Sequence, residues 1–345
     1  MTESKIVAFD LAKRIVQGCV IDASGAIVEE GRLGPEAALA FAGRHPGATV
    51  ALEACGGSHQ WGRELQRRGH RVLLLPAQRV KSYGDPACKD DRRDARAIAE
   101  AASRPYLRPV PVKSEPQQAL QSLDRTAALL ARQRTQTVNA LHGHLAEFGI
   151  LLPKGPHLLK RRFPELETSA RWRELPEELR FAAGELFAAF LGLEERLKVF
   201  KTRLARAAKA SRLGRLLLEV PGIGAMTAVC LEAAVGDDPG RFSDGRHFAA
   251  WLGLTPRLAA SGERTQLARI TKRGCSRLRS LLAVCAQAML RQYKAGRHHD
   301  ALACWARRLL ARKRWNVAVV ALANKLARIA WKVMASGSPY QARTT

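Results

Sequence analysis

Apolar residues in the first hundred positions come in short runs set between turn residues. Lys5 to Phe9, Ile15 to Ile21 and Ala26 to Glu30 each read as a strand, the last two joined through Ser24-Gly25, so the chain opens on an antiparallel meander. Pro35 to Arg44 then has helical spacing, Thr49 to Leu52 is a buried strand, Gln60 to Arg68 a helix closed by Gly69, and Arg71 to Leu75 a strand ending at Pro76. Another amphipathic helix starts near Asp91. Three strands, helix, strand, helix, strand, helix is the order of an α/β domain with a mixed sheet, expected over residues 1–112.

That order fits the ribonuclease H-like arrangement. Past Pro116 the apolar spacing changes to three and four: Leu120, Leu123, Ala127, Leu130, Leu141 and Leu145 share one face, predicting an amphipathic helix over 117–148, long enough for a coiled-coil arm or a dimer contact. Pro153 to Pro176 reads as a proline-interrupted connector and Glu177 to Leu213 as helix again, giving a helical arm and connector over 113–212. LLLEVPGIGAMTAVCLEAAVGD, residues 216–237, has the helix-hairpin-helix pattern and belongs to a helical C-terminal domain expected over 213–340. Gly222 and Gly224 would let a phosphate approach the backbone, and the next helix would offer it free N–H groups. A plain helical hairpin with a glycine turn fits the same residues.

Charge narrows the function. The chain has 57 Lys plus Arg against 31 Asp plus Glu, a formal net charge of +26, yet 47% of its residues are hydrophobic, so the excess charge sits on folded surfaces rather than on a disordered tail. Self-repulsion of that size calls for a polyanion, and nucleic acid is the expected one. Arg196 to Leu218 holds eight basic residues and no acid, and Ala301 to Thr345 holds nine and no acid, with Arg312, Lys313 and Arg314 clustered beside Trp315. A membrane is not an expected partner: the charge-free apolar run Trp315 to Ala323 falls short of the about 20 residues a span needs, and MTESKIVAFD does not read as a signal peptide. A cytosolic location is expected. The seven cysteines never form CxxC and the nine histidines lack metal-site spacing, which argues against a disulfide framework or a zinc cage.

In so basic a chain, acids at strand ends stand out. Asp10 closes the first strand and Glu53 the fourth; neighbouring strand ends hold two carboxylates close together only at a cost, unless a hard divalent cation intervenes. In KDDRRDARAIAEA, Asp91 and Asp94 stand three apart at a helix start, on one face. Four such side chains would bind one or two Mg²⁺ for phosphoryl transfer. Singly, the acids also fit structural roles: Asp91 as a first-turn acid, Asp94 paired with Arg93 or Arg96, and Asp10 as a strand-end turn residue.

FDLAKR around Asp10, LEACGGSHQW around Glu53, GHRVLLLPAQRVKSY and KDDRRDARAIAEA, followed by VPGIGAMTA, FAAWLGLTPRLAASGERTQLARITKRGCSRLRSLL and VAVVALANKLARIAW, resemble the DEDD transposases of insertion-sequence family one-ten, in particular its eleven-eleven subgroup. The resemblance covers nearly the whole chain and is least distinctive near 150–185. It implies a RuvC-like N-terminal domain with Asp10, Glu53, Asp91 and Asp94 as an Mg²⁺-binding tetrad, two ions per active site, then a helical arm and a C-terminal transposase domain. It implies a serine nucleophile from the SG motif, here Ser261-Gly262, and DNA strand exchange that excises and inserts element DNA under an element-encoded guide RNA. It also implies a homodimer assembling to a tetramer, in bacterial cytoplasm at the nucleoid. One departure is the extra acid Asp90, which competes with Asp91 for the third position; the pairing with Asp94 favours Asp91.

Around Ser261, Arg257, Arg264, Arg269, Lys272, Arg273, Arg277 and Arg279 face a single acid, Glu263, a phosphate-attracting setting. Residues alone make Ser261 a turn serine; the resemblance makes it a nucleophile. Two other functions fit parts of the pattern: a Holliday-junction resolvase-like endonuclease using metal-activated water, and a non-catalytic nucleic-acid binder that leaves the ordered acids unexplained.

Overall fold

A computed structural model describes residues 5–84, 90–236, 238–261 and 264–342; at 258–261 and 264–268 it describes the backbone alone. The chain divides into two compact units, Met1–Glu115 and Pro116–Thr345.

The first unit runs β1 (Ile6–Leu11), β2 (Val16–Ile21), β3 (Ile27–Leu33), α1 (Pro35–Gly43), β4 (Thr49–Glu53), α2 (Ser58–Arg67), β5 (Arg71–Leu75), α3 (Ala77–Val80) and α4 (Asp91–Ser103). Its five strands lie in the order β3-β2-β1-β4-β5, with β1 antiparallel to β2 and parallel to β4. The central strands are apolar on both faces because both are covered. Val7, Phe9, Val50 and Leu52 pack under α1 and α2, with Phe9 between Phe41 and Trp61 at ring-centroid distances of 6.0 and 6.3 Å. Ala8, Cys19 and Ala51 face the other way, against Ala95 and Ile98 of α4. These facing residues are small, so the helix can settle close to the sheet.

The second unit runs α5 (Glu115–Ala146), α6 (Pro156–Glu167), α7 (Ala170–Arg173), α8 (Glu177–Ala210), α9 (Arg212–Leu218), α10 (Ala225–Val235), α11 (Gly245–Trp251), β6 (Pro256–Ser261), β7 (Arg264–Ile270), α12 (Ser276–Lys294), α13 (Ala301–Arg312) and α14 (Trp315–Ser336). The far end of α5 and the near end of α8 share a cluster with α6 and α7 in which Phe163 stacks on Phe187 at 4.3 Å. A second, larger core gathers α9, α10 and α12 around α14.

Two expectations are corrected here. The connector is helical, because Pro156 opens α6 at a position that needs no N–H and Pro164 is accommodated within it. The C-terminal part also contains the antiparallel hairpin β6–β7, whose short, weakly apolar alternation gave little strand signal. Residues 315–336 form a core helix, in which Ala318, Leu322, Leu326 and Ala330 are fully buried. Among the described residues no helix is long and apolar enough to cross a membrane.

Candidate active site

The sheet register places the first two acids. Phe9 pairs with Leu52 across the parallel strands β1 and β4, so Asp10 and Glu53 are each the next residue at neighbouring strand ends. Side chains alternate along a strand, and Phe9 and Leu52 go to the α1/α2 face; Asp10 and Glu53 therefore share the face that α4 covers. α4 begins there. Asp90 is its N-cap, accepting a hydrogen bond from the Arg92 N–H at 3.2 Å, and this sets Asp91 and Asp94 in the first turn. Carboxylate oxygens of Asp10, Asp91 and Asp94 lie within 4.8 Å of one another. Glu53 stands outside that 4.8 Å group but within its field.

Burial, and then the charges of Asp94, Asp91 and Glu53, push the Asp10 carboxyl up to about 6. Glu53 is raised by burial and by Asp94, with Lys81 opposing. The Cys55 thiol is also raised, by burial first and then by Glu53 and Asp10, so it is not an activated nucleophile. Crowded anions of this kind fit a hard divalent cation: every donor is oxygen, and a cation would relieve the repulsion that lifts Asp10.

Two neighbours of the cluster carried no sequence signal of their own. Arg96 is held by Glu30 of β3 in a bidentate pair, at 2.6 and 2.7 Å, which ties α4 to the sheet two residues after Asp94. Arg96 is thus engaged with Glu30, not with Asp94 as its nearness in sequence suggested. Gln17, level with Asp10 on β2 and only 5% exposed, lies on the same face. The inward half of the β2 alternation contained Gln17, but a polar residue there reads as a strand edge until the register is known.

The second unit holds the other candidates. Gly222 has φ +81°, and a Cβ there would lie 2.3 Å from the Met289 sulfur, so only glycine fits this tight turn packed on the core. Gly224, the N-cap of α10, has open space around it. Arg257, Arg269, Lys272 and Arg273 are exposed. Arg277 is different: its guanidinium grips the buried Asp124 at 2.6 to 3.2 Å and also meets the Met226 sulfur at 3.1 Å. Its charge is neutralised within the protein. Arg312, Lys313 and Arg314 form an exposed cluster at the turn from α13 to α14. Ser261 ends β6 with its backbone alone described, the Arg264 side chain is likewise outside the described residues, and Gly262 lies outside them altogether.

Family models match the chain in two stretches, the first of which runs past the boundary between the units. The family model described as "Transposase IS116/IS110/IS902 family" matches residues 214–303, and a DEDD transposase model, described as "Transposase", matches residues 7–150. The transposase for insertion sequence element IS1111A of Coxiella burnetii is 33% identical over 341 residues, covering 99% of this chain and 92% of its own length. The transposase for insertion sequence element IS1328 of Yersinia enterocolitica is 37% identical over 297 residues, 86% of each chain. The "Probable family 20 transposase" of Pseudomonas aeruginosa is 38% identical over 337 residues, 97% of this chain and 98% of its own. With family models matched in both units and relatives at these identities along nearly all its length, the chain belongs to the IS110/IS116/IS902 family of insertion-sequence transposases, enzymes that process DNA.

Proposed function

We propose that this transposase exchanges DNA strands by Mg²⁺-dependent phosphoryl transfer, with Asp10, Asp91 and Asp94 holding the ions, Glu53 completing the set, and Ser261 as nucleophile. The observation that carries the reading is the convergence of Asp10, Asp91 and Asp94 at one sheet edge, uncompensated enough to raise Asp10. The strand order β3-β2-β1-β4-β5 supports a RuvC-like, ribonuclease H-like domain around them. In the second unit, α9 and α10 flanking Pro-Gly-Ile-Gly support a helix-hairpin-helix. Net charge +26 supports DNA and RNA as partners, and the family resemblance supports an element-encoded guide RNA and a homo-oligomer, dimer or tetramer.

Divalent ions bound at the carboxylates would supply Lewis-acid stabilisation of the charge that builds on a transferring phosphate. The protein's own groups do the rest. Asp90 and the Arg96–Glu30 pair hold the first turn of α4 against the sheet edge. The Ser261 hydroxyl attacks a DNA phosphorus, forming a serine–phosphate ester as one P–O bond of the strand breaks, and the departing hydroxyl takes up a proton. Attack by a hydroxyl of another strand reverses the ester and returns the proton to serine. Exposed Arg257, Arg269, Lys272, Arg273 and the Arg312–Lys313–Arg314 cluster hold phosphates.

Strand-exchange assays with element DNA and guide RNA test this. Asp10→Asn and Ser261→Ala should each reduce exchange by about a thousandfold or more while leaving nucleic-acid binding within a few-fold. Both should also lose the denaturant-stable protein–DNA adduct, because Ser261 forms it and the ions at Asp10 promote that attack. Free cleaved ends that persist in Ser261→Ala without any adduct would move the reading to a resolvase-like hydrolase, and exchange surviving in Asp10→Asn would end the metal assignment.

A further inference from the structure

The acids of the first unit stand at one end of a row that crosses the sheet. Asp10 is level with Gln17 of β2, and Gln17 with Arg32 of β3. Residues level with one another across antiparallel strands share a face, so both lie on the side that carries Asp10. Contacts one level away agree: Cys19 packs against α4, and Glu30, opposite Cys19, reaches Arg96 of that helix. Gln17 and Arg32 are two positions from these on the same strands, and alternation returns them to the same face. With Glu53 beside Asp10, the row reads acid, acid, amide, guanidinium from β4 to β3.

The amide and the guanidinium are both without partners. Gln17 is 5% exposed, yet no hydrogen bond holds its amide among the described residues. A buried amide in that state is costly, and its neighbours on β2, Val16, Cys19 and Val20, show that the strand otherwise takes apolar residues there. Arg32 is exposed and likewise has no hydrogen bond or ion pair among the described residues. β3 gives Glu29 to Arg44 and Glu30 to Arg96, but leaves its own arginine open. Toward β5 the row ends differently, at the buried Leu75, and Lys81 just beyond that strand opposes the field of Glu53.

We propose that Gln17 and Arg32 extend the site across β2 and β3 as a phosphate track. The Gln17 amide N–H donates to an oxygen of the DNA phosphate under attack, and the Arg32 guanidinium holds the next phosphate of the same strand. Two strand spacings, about 10 Å, separate Asp10 from Arg32, so the two ends of the row serve successive phosphates rather than one. The cut strand therefore crosses the sheet edge from β1 toward β3. Such a track complements the acids, which attract a cation and repel phosphate; the amide and guanidinium supply donors to the oxygens the cation leaves free. It rests on the proposed function for the phosphate that is attacked at Asp10.

Three measurements on the full chain test the track. In chelator and without DNA, Gln17→Met should melt at the parent's temperature or above it, since an amide without a partner does not support the free fold; with element DNA, guide RNA and Mg²⁺ it should slow strand exchange about a hundredfold. In the Ser261→Ala background, where no ester forms, Arg32→Ala should lessen the slope of log affinity for element DNA against log salt by about one. A scan of single neutral methylphosphonates along the DNA should find one position beside the scissile phosphate that slows exchange about tenfold in the parent and not in Arg32→Ala. Lower melting of both Gln17→Met and Gln17→Leu would make the amide structural and overturn its role, as would parental exchange in Gln17→Met. An unchanged salt slope would overturn the Arg32 contact. A lessened slope with the same sensitive positions in parent and Arg32→Ala would assign Arg32 to guide RNA, and overturn the track as well. Exchange surviving in Asp10→Asn, with the slope and scan effects of Arg32 retained, would end the metal assignment and leave the track standing.

Discussion

Two groups of carboxylates in this protein show opposite solutions to the cost of burying charge. In the second unit, Asp124 is 3% exposed and is met by the fork of Arg277, whose own protonation the contact strengthens. In the first unit, Asp10, Asp91 and Asp94 crowd one another and Glu53 adds to the field, with Lys81 opposing it at Glu53. A buried acid with its counter-charge built in serves the fold. A group of acids without one holds free energy that only a proton or an external cation can recover. The contrast separates structural from functional acids better than burial does, and it moves Arg277 from the phosphate-binding candidates to the structural ones.

The largest expected effect lies on the structural side. Asp124→Ala strands the Arg277 guanidinium in a half-buried pocket between α5 and α12, and should cost about 3 kcal/mol, read from urea midpoints at constant slope. Replacing both partners, Asp124→Leu with Arg277→Met, should recover most of that loss, since an apolar pair of similar volume needs no counter-charge. A double variant as unstable as the single one would show that the pair does more than neutralise itself.

On the functional side the sign reverses. A carboxyl whose pKa is higher folded than unfolded binds its proton more tightly in the folded state. Asp10, lifted from 3.8 to about 6, therefore contributes stability that is complete below pH 3.8 and disappears as pH rises through 6. In chelator, Tm should fall across that window by the equivalent of about 1–2 kcal/mol, a figure discounted because solvent reaches the half-buried group. Asp10→Asn should flatten the slope and raise Tm at pH 7. Added Mg²⁺ should restore stability at pH 7 in the parent but not in the variant. A parent whose Tm is level from pH 4 to 7 in chelator would show that the acids do not repel.

Most of the first unit was legible because its signals are local: strand runs, turn glycines and helix periods needed no knowledge of packing. The convergence of Asp10 and Glu53 was legible for the same reason, as both are residues at the ends of strands. What was not legible depends on register or on partners distant in sequence. Gln17 becomes a neighbour of Asp10 only through the β1–β2 pairing, and Arg96 and Glu30 are 66 residues apart. The hairpin β6–β7 was missed because Pro256–Ser261 has few apolar positions to alternate, and Gly222 was read toward solvent because its contact, Met289, lies far along the chain.

The smallest effect bears on the choice between two adjacent acids. Asp90 has extended backbone, φ −142° and ψ 127°, and its carboxylate is committed to the Arg92 N–H, whereas Asp91 lies one residue inside the helix with its oxygens toward Asp10. An N-cap tolerates asparagine as well as aspartate and loses about 1 kcal/mol to alanine. Asp90→Asn should therefore be silent, and Asp90→Ala should lower stability by that amount while changing Mg²⁺ affinity by no more than a few-fold. Asp91→Asn should do the reverse, leaving Tm in chelator unchanged or higher and weakening Mg²⁺ binding, measured by calorimetry, by about tenfold or more. The cap needs only an oxygen that accepts, which the amide retains; the ion needs the charge, which it does not. Equal losses of Mg²⁺ affinity in Asp90→Asn and Asp91→Asn would mean that the extra acid of the KDDRRDA run is itself part of the charged cluster, and that the first turn of α4 offers the ion three carboxylates rather than two.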